Sequence, residues 1–145
     1  MKRVQESMSS PVAAFSEETC LGVAVEAMRT RHVRHLCVVR QKGVVGIVSD
    51  RDVKRALPSA LAGAVRMDYE AILEDTPLSR VMSRAPVCIA SQAPLARAVS
   101  LMLEHRISAL PVVDDGVLVG MLTETDCLRA LGGLLDDDAE PRAVA

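Results

Sequence analysis

Aromatic side chains are almost missing from this sequence: Phe15 and Tyr69 stand alone, and there is no tryptophan. That scarcity removes the stacking platforms on which single-stranded nucleic acid or carbohydrate is held, and it leaves the core to aliphatic residues. A strong field of one charge sign is missing too. The net charge is −2, split between a tail in which Asp136, Asp137, Asp138 and Glu140 oppose Arg142 and a body, residues 1–135, at +1. Such a body offers DNA no basic surface. No apolar run approaches the roughly 18 residues of a membrane span, and the opening MKRVQESMSS lacks the apolar stretch of a secretory signal. A cytoplasmic address is expected. The cysteines, Cys20, Cys37, Cys88 and Cys127, include no CxxC pair. They read as reduced structural thiols, each a small apolar residue, rather than as a metal set.

What is present suffices for a fold. Half of the 145 residues are hydrophobic and 25% are charged, material for one compact domain or for two half-domains sharing a core. Residues 21–57 align without a gap on residues 95–131 at a constant offset of 74, and 13 of 37 positions are identical. Chance would give about three at ordinary residue usage, so the chain carries an internal duplication. Met8-Ser9 resembles Met82-Ser83 at the same offset, which places each repeat's start near its Met-Ser. The expected organisation is a first repeat over 4–57, a linker over 58–78, a second repeat over 79–135 and a mobile acidic tail over 136–145.

Each repeat changes its hydrophobic period several times. Leu21, Ala24, Val25 and Met28 match Leu95, Ala98, Val99 and Met102 at the i, i+3, i+4, i+7 spacing of one helix face. Leu36–Val39 and Val44–Val48 are short β-branched runs flanking Arg40–Gly43, and Leu110–Val113 and Val117–Leu122 flank Asp114-Asp115-Gly116; both pairs predict β-hairpins. Ser49-Asp50 and Thr123-Glu124 predict helix N-termini with acidic first turns, the second helices running to about Leu57 and Leu134. A short strand near Val12–Ala14, or Val87–Ile89, precedes each first helix. The unit is β-α-β-β-α, an α+β fold, and MDYEAIL in the linker adds one short helix.

The duplicated segments GIVSDRD (46–52) and GMLTETD (120–126), together with ALPVVDDG (109–116), resemble the CBS domain, and the tandem resembles a Bateman module. That resemblance implies two CBS repeats packed with pseudo-two-fold symmetry. It also implies a regulatory role without catalysis or a required cofactor: an adenine nucleotide (AMP, ADP or ATP) bound in the cleft between repeats, with occupancy passed to an unknown regulated protein. S-adenosylmethionine and NAD are the alternative adenosyl ligands, and nucleic acid is the alternative of another class, which the composition argues against.

The residues support this reading independently. A hydroxyl at a helix N-cap, free N–H groups and the helix dipole suit a phosphate, and an Asp three residues later can accept both hydrogen bonds of a ribose diol. Ser49 with Asp52, and Thr123 with Asp126, are the matched pairs. The bland alternative is a capping box, in which the carboxylate closes back on the cap N–H. The repeats differ in charge: residues 21–57 carry +5 and residues 95–131 carry −2. Arg34, His35 and Arg51 occur in the first repeat alone and could neutralise phosphate; a solvated basic face is the rival reading. The resemblance implies that the second repeat supplies the base edge, at Ile107, Ala109 and Pro111, since the first has Cys37 in place of the proline. Asp50 and Asp52, two apart on a helix, diverge by about 200° and make no acid–base pair. Outward apolar residues, Val23, Ala27, Leu101, Leu103, Leu128, Leu131, Leu134 and Leu135, predict a homodimer through the helices.

Overall fold

A computed structural model describes residues 1–58 and 66–138. The helices are α1 (Leu21–Arg31), α2 (Asp50–Ala56), α3 (Arg66–Asp75), α4 (Leu95–His105) and α5 (Glu124–Asp138). The strands are β1 (Ala14–Phe15), β2 (His35–Arg40), β3 (Gly43–Ser49), β4 (Ser83–Arg84), β5 (Ala109–Asp114) and β6 (Val117–Thr123). The α+β class, both hairpins and the linker helix stand as the sequence predicts. Part of the linker, residues 59–65, lies outside the described residues, as does the tail beyond Asp138. Asp136–Asp138, expected in the tail, continue α5.

Two compact units form, and they do not follow the chain order of the repeats. An amino unit holds Pro11–Pro86 with Asp115–Leu118; a carboxyl unit holds Met1–Ser10, Val87–Asp114 and the chain from Val119 onward. The repeats exchange their leading segments. In the amino unit the sheet order is β1-β2-β3-β4, with β1 parallel to β2 and the rest antiparallel, so Ser83 of the second Met-Ser pairs with Ile47. In the carboxyl unit β5 and β6 form the hairpin, Ile89 bridges Val112 in parallel and Ser9 bridges Met121 in antiparallel. Short 3-10 turns at Val4–Glu6 and Leu78–Arg80 follow the same exchange.

Steric fit holds the exchanged segments. A Cβ on Gly46 would collide with the Met82 side chain, and one on Gly120 with that of Met8; only glycine lets the crossing methionine lie on the strand. Val4 packs with Ile89, Ala98, Leu101, Met102, Leu110, Val112 and Leu122. Leu78 and Met82 pack with Leu21, Ala24, Leu36, Val38, Val48 and Val53. These cores are aliphatic and occupy matching repeat positions.

Three expectations need correction. Leu101 is buried and Val99 is exposed, because α4 turns its Ala98–Leu101–Met102 face inward, about one position away from the periodicity reading. The strand expected over Val87–Ile89 shrinks to a single bridge, while its counterpart falls at Ala14–Phe15. The cause is covalent: Cys37 N–H donates to the Ala13 carbonyl at 3.3 Å, and Pro111, its equivalent, has no N–H to donate.

Candidate functional site

Within the amino unit, β3 delivers Ser49 to the start of α2. Asp52 N–H donates to Ser49 Oγ at 3.1 Å, and Ser49 N–H donates to Asp52 Oδ2 at 2.8 Å. The capping box is therefore what this pair builds, with Asp in the place usually taken by Glu or Gln. Asp52 Oδ1 takes no part in it. Asp50 N–H donates to the Arg34 carbonyl at 2.9 Å, and His35 stands opposite Ser49 in the β2–β3 ladder. Arg34, His35, Ser49, Arg51 and Asp52 are thus gathered around one strand–helix turn. Arg34 and Arg51 are exposed and have no carboxylate partner among the described residues.

The carboxyl unit repeats this turn with tighter packing. Thr123 N–H and Oγ1–H both donate to Asp126 Oδ2, at 2.9 and 3.0 Å, and Asp126 N–H donates back to Thr123 Oγ1 at 3.3 Å. Arg129 lies 3.5 Å from Asp126 Oδ1, and Asp126 is only 7% exposed. Glu124 N–H donates to the Ser108 carbonyl at 2.9 Å, duplicating the Asp50–Arg34 bond. Ile107 is half-buried, Ala109 is buried and Pro111 is fully buried, with its carbonyl already accepting Ile89 N–H at 3.1 Å. The side chain of Pro111 therefore shapes the strand from inside.

Sequence reasoning missed a polar clamp at the end of β5. Ser91 N–H and Oγ–H donate to the two Asp114 oxygens at 2.9 and 2.5 Å, and these bonds hold the Asp114 carboxyl below its ordinary range. Asp114 is replaced by Arg40 in the first repeat, where Arg40 instead reaches Glu17 at 2.8 Å; the alignment carried only that difference. A groove of about 470 Å³ also escaped it, lined by Cys20, Val23 and Ala27 near α1 and by Leu73 of α3. None of the expected site residues lines it.

Reactive chemistry finds little to work with. Burial pushes the Cys88 thiol up, and burial followed by the Asp126 and Glu124 charges does the same to Cys127. Among the described residues no three His, Cys, Asp or Glu side chains are grouped to hold a metal ion, and no helix is long and apolar enough to cross a membrane.

Known proteins share this architecture. A CBS domain-containing protein of Dictyostelium discoideum is 31% identical over 135 residues, 92% of this chain and 93% of the relative. The homoserine O-acetyltransferase of Methanosphaerula palustris is 34% identical over 131 residues, 90% of this chain but 24% of that enzyme. The AcuB crystal structure from Vibrio cholerae superposes with a TM-score of 0.76 at 30% identity, covering 97% of this chain and 99% of the other. CBSX2, solved in complex with AMP, shares the fold at a TM-score of 0.75, 24% identity and coverage of 93% and 99%. A CBS domain pair solved with 5′-methylthioadenosine and S-adenosyl-L-methionine does so at 0.76, 24% identity and coverage of 92% and 98%. The CBS domain family itself matches residues 2–59 and 78–133, the two duplicated segments with their exchanged leaders, and this chain therefore belongs to the CBS domain family as a tandem pair.

Proposed function

We propose that this chain is a regulatory module that binds an adenine nucleotide, AMP, ADP or ATP, and carries out no catalysis. One observation carries the reading: two strand–helix turns of the same build each join a capping hydroxyl to a carboxylate, and one of them has beside it two exposed arginines with no carboxylate partner among the described residues. In this reading Asp52 Oδ1 accepts from the ribose, Ser49 Oγ and the Arg51 N–H meet phosphate, and the Arg34, His35 and Arg51 side chains neutralise it. Thr123 and Asp126 serve the second repeat, where a ribose displaces Arg129 from Asp126 Oδ1, and Ile107, Ala109 and Pro111 border the base.

Proteins of this fold have been solved with AMP, 5′-methylthioadenosine and S-adenosyl-L-methionine, whose common part is adenosyl. The two arginines favour the phosphorylated member of that group. The module works in the cytoplasm as a homodimer and passes ligand occupancy to a regulated protein; the free cysteines fit a reducing compartment. A thermal-shift series with AMP, ADP, ATP, S-adenosylmethionine, NAD and adenosine tests the ligand. A ligand at 100 times its dissociation constant stabilises by about 2.7 kcal/mol. A nucleotide-selective rise in melting temperature is expected, and no response to any of the six would overturn the reading.

A further inference from the structure

Three residues beyond its turn carboxylate, each repeat carries an arginine: Arg55 follows Asp52, and Arg129 follows Asp126. That spacing sets arginine and carboxylate on one helix face in both repeats. The pair forms in the second alone. Arg129 Nη1 stands 3.5 Å from Asp126 Oδ1, whereas Arg55 is exposed and bonds no carboxylate among the described residues.

The two carboxylates therefore differ in what they can still accept. Asp52 Oδ2 accepts from Ser49 N–H, and Oδ1 accepts nothing among the described residues. Asp126 Oδ2 accepts twice, from Thr123 N–H and Oγ1–H, and its Oδ1 faces the guanidinium. The Asp126 side chain is 8% exposed and that of Arg129 is 76% exposed, so the guanidinium lies on the water side of the carboxylate. An ionised carboxylate so buried needs a counter-charge, and Arg129 is the one cation paired with it among the described residues. The first turn's other cations have no equivalents here: Ser108, Ala109 and Thr125 stand where the first repeat has Arg34, His35 and Arg51.

We propose that Arg129 is a latch on the second turn. In the empty protein it occupies the Asp126 oxygen that a ribose diol requires, so the Asp52 turn takes nucleotide first, and the Asp126 turn fills as ligand exchanges with Arg129. The inference rests on the nucleotide reading above and assigns an order to its two sites. Phosphate charge also favours the first turn, through Arg34 and Arg51. Adenosine separates the two causes, because it keeps the diol and lacks the phosphate. With adenosine, opening the latch acts on the second turn alone.

Amide NMR titrations of the full chain test this, since Ser49 N–H and Thr123 N–H each donate to the carboxylate of their own turn and report on it separately. With AMP, Ser49 should respond at lower concentration than Thr123. With adenosine, Arg129→Gln should tighten the Thr123 response by about two- to fivefold, the scale of one exposed ion pair, and leave Ser49 unchanged. Arg129→Lys, which keeps the charge, should restore most of the wild-type value, and Arg55→Gln should alter neither response to adenosine. Salt gives a reading that needs no variant: adenosine is uncharged, so added salt should tighten the second turn in wild type by screening the pair, and should not do so in Arg129→Gln. A Thr123 response to adenosine that is no tighter in Arg129→Gln overturns the latch and leaves the nucleotide reading standing. An AMP response that reaches Thr123 at the same or lower concentration than Ser49 overturns the order. Silence of both amides toward AMP and adenosine overturns the nucleotide reading, and the latch with it.

Discussion

Replacing Leu78 with alanine perturbs a residue that is close in sequence to the second repeat and packed in the first. Leu78 is fully buried among Leu21, Ala24, Leu36, Val38, Val48 and Val53. Its backbone is tied there as well, Leu78 N–H donating to the Thr19 carbonyl at 2.9 Å and Met82 N–H returning to the Leu78 carbonyl at 2.9 Å. Truncating a buried leucine costs about 2–5 kcal/mol, the transfer of the lost methyls plus the cavity they leave. For a chain of this size that corresponds to a fall in melting temperature of roughly 5–20 °C. The location of the loss tells more than its size. Hydrogen exchange read by mass spectrometry should show faster exchange across α1, β2 and β3, with α4, β5 and β6 keeping their protection. Val4→Ala is the mirror perturbation: it should open α4, β5 and β6 and spare residues 21–57. If each variant instead loosened the repeat that follows it in the chain, the segment exchange would be refuted.

The remaining predictions concern single turns and one carboxylate. His32 and Arg106 end α1 and α4 in the left-handed region, at φ 54° and 53°, so His32→Gly and Arg106→Gly should each stabilise by about 0.5–1 kcal/mol in calorimetry. Gly46→Ala should destabilise by roughly 1–3 kcal/mol through its clash with Met82, and Met82→Ala in the same chain should recover part of that loss in a denaturant melt. The Asp114 carboxyl is held below 3.8 by Ser91, so its contribution to stability is complete above that ordinary value and disappears as pH falls through the lowered one. Ser91→Ala should therefore flatten the acid limb below about pH 4, and an NMR titration of Asp114 unchanged by the substitution would contradict the assignment.

The fold was legible because the duplication reports on itself. Thirteen identities at one offset, two hairpins and two capped helices define the element order without any knowledge of packing. Partner choice was hidden. Met8-Ser9 and Met82-Ser83 are nearly the same signal, and a repeat read along the chain assigns each to the nearest sheet; the close approach of Met8 to Gly120 and of Met82 to Gly46, with the Ser9–Met121 and Ser83–Ile47 pairings, reveals the exchange. Helix faces were legible to about one residue, which is why Leu101 and Val99 changed places. At the candidate site the hydroxyl–carboxylate spacing was readable, and so were both of its uses. The structure realises the cap, and the second oxygen of Asp52 is the part that a sequence motif does not distinguish. The burial of Pro111 and Ala109 depends on the β5 interior, which an alternation pattern of four buried positions in a row does not encode.

Isothermal titration of the full chain with AMP and with adenosine, at low salt, tests the account most directly. Wild type should bind AMP at least about tenfold more tightly than adenosine, a difference of about 1.4 kcal/mol. That preference should shrink with added salt and in Arg34→Ala and Arg51→Ala, while Asp52→Asn should weaken both ligands by roughly 1–3 kcal/mol. Equal affinity for AMP and adenosine in wild type, with no change in the arginine variants, would contradict the phosphate site.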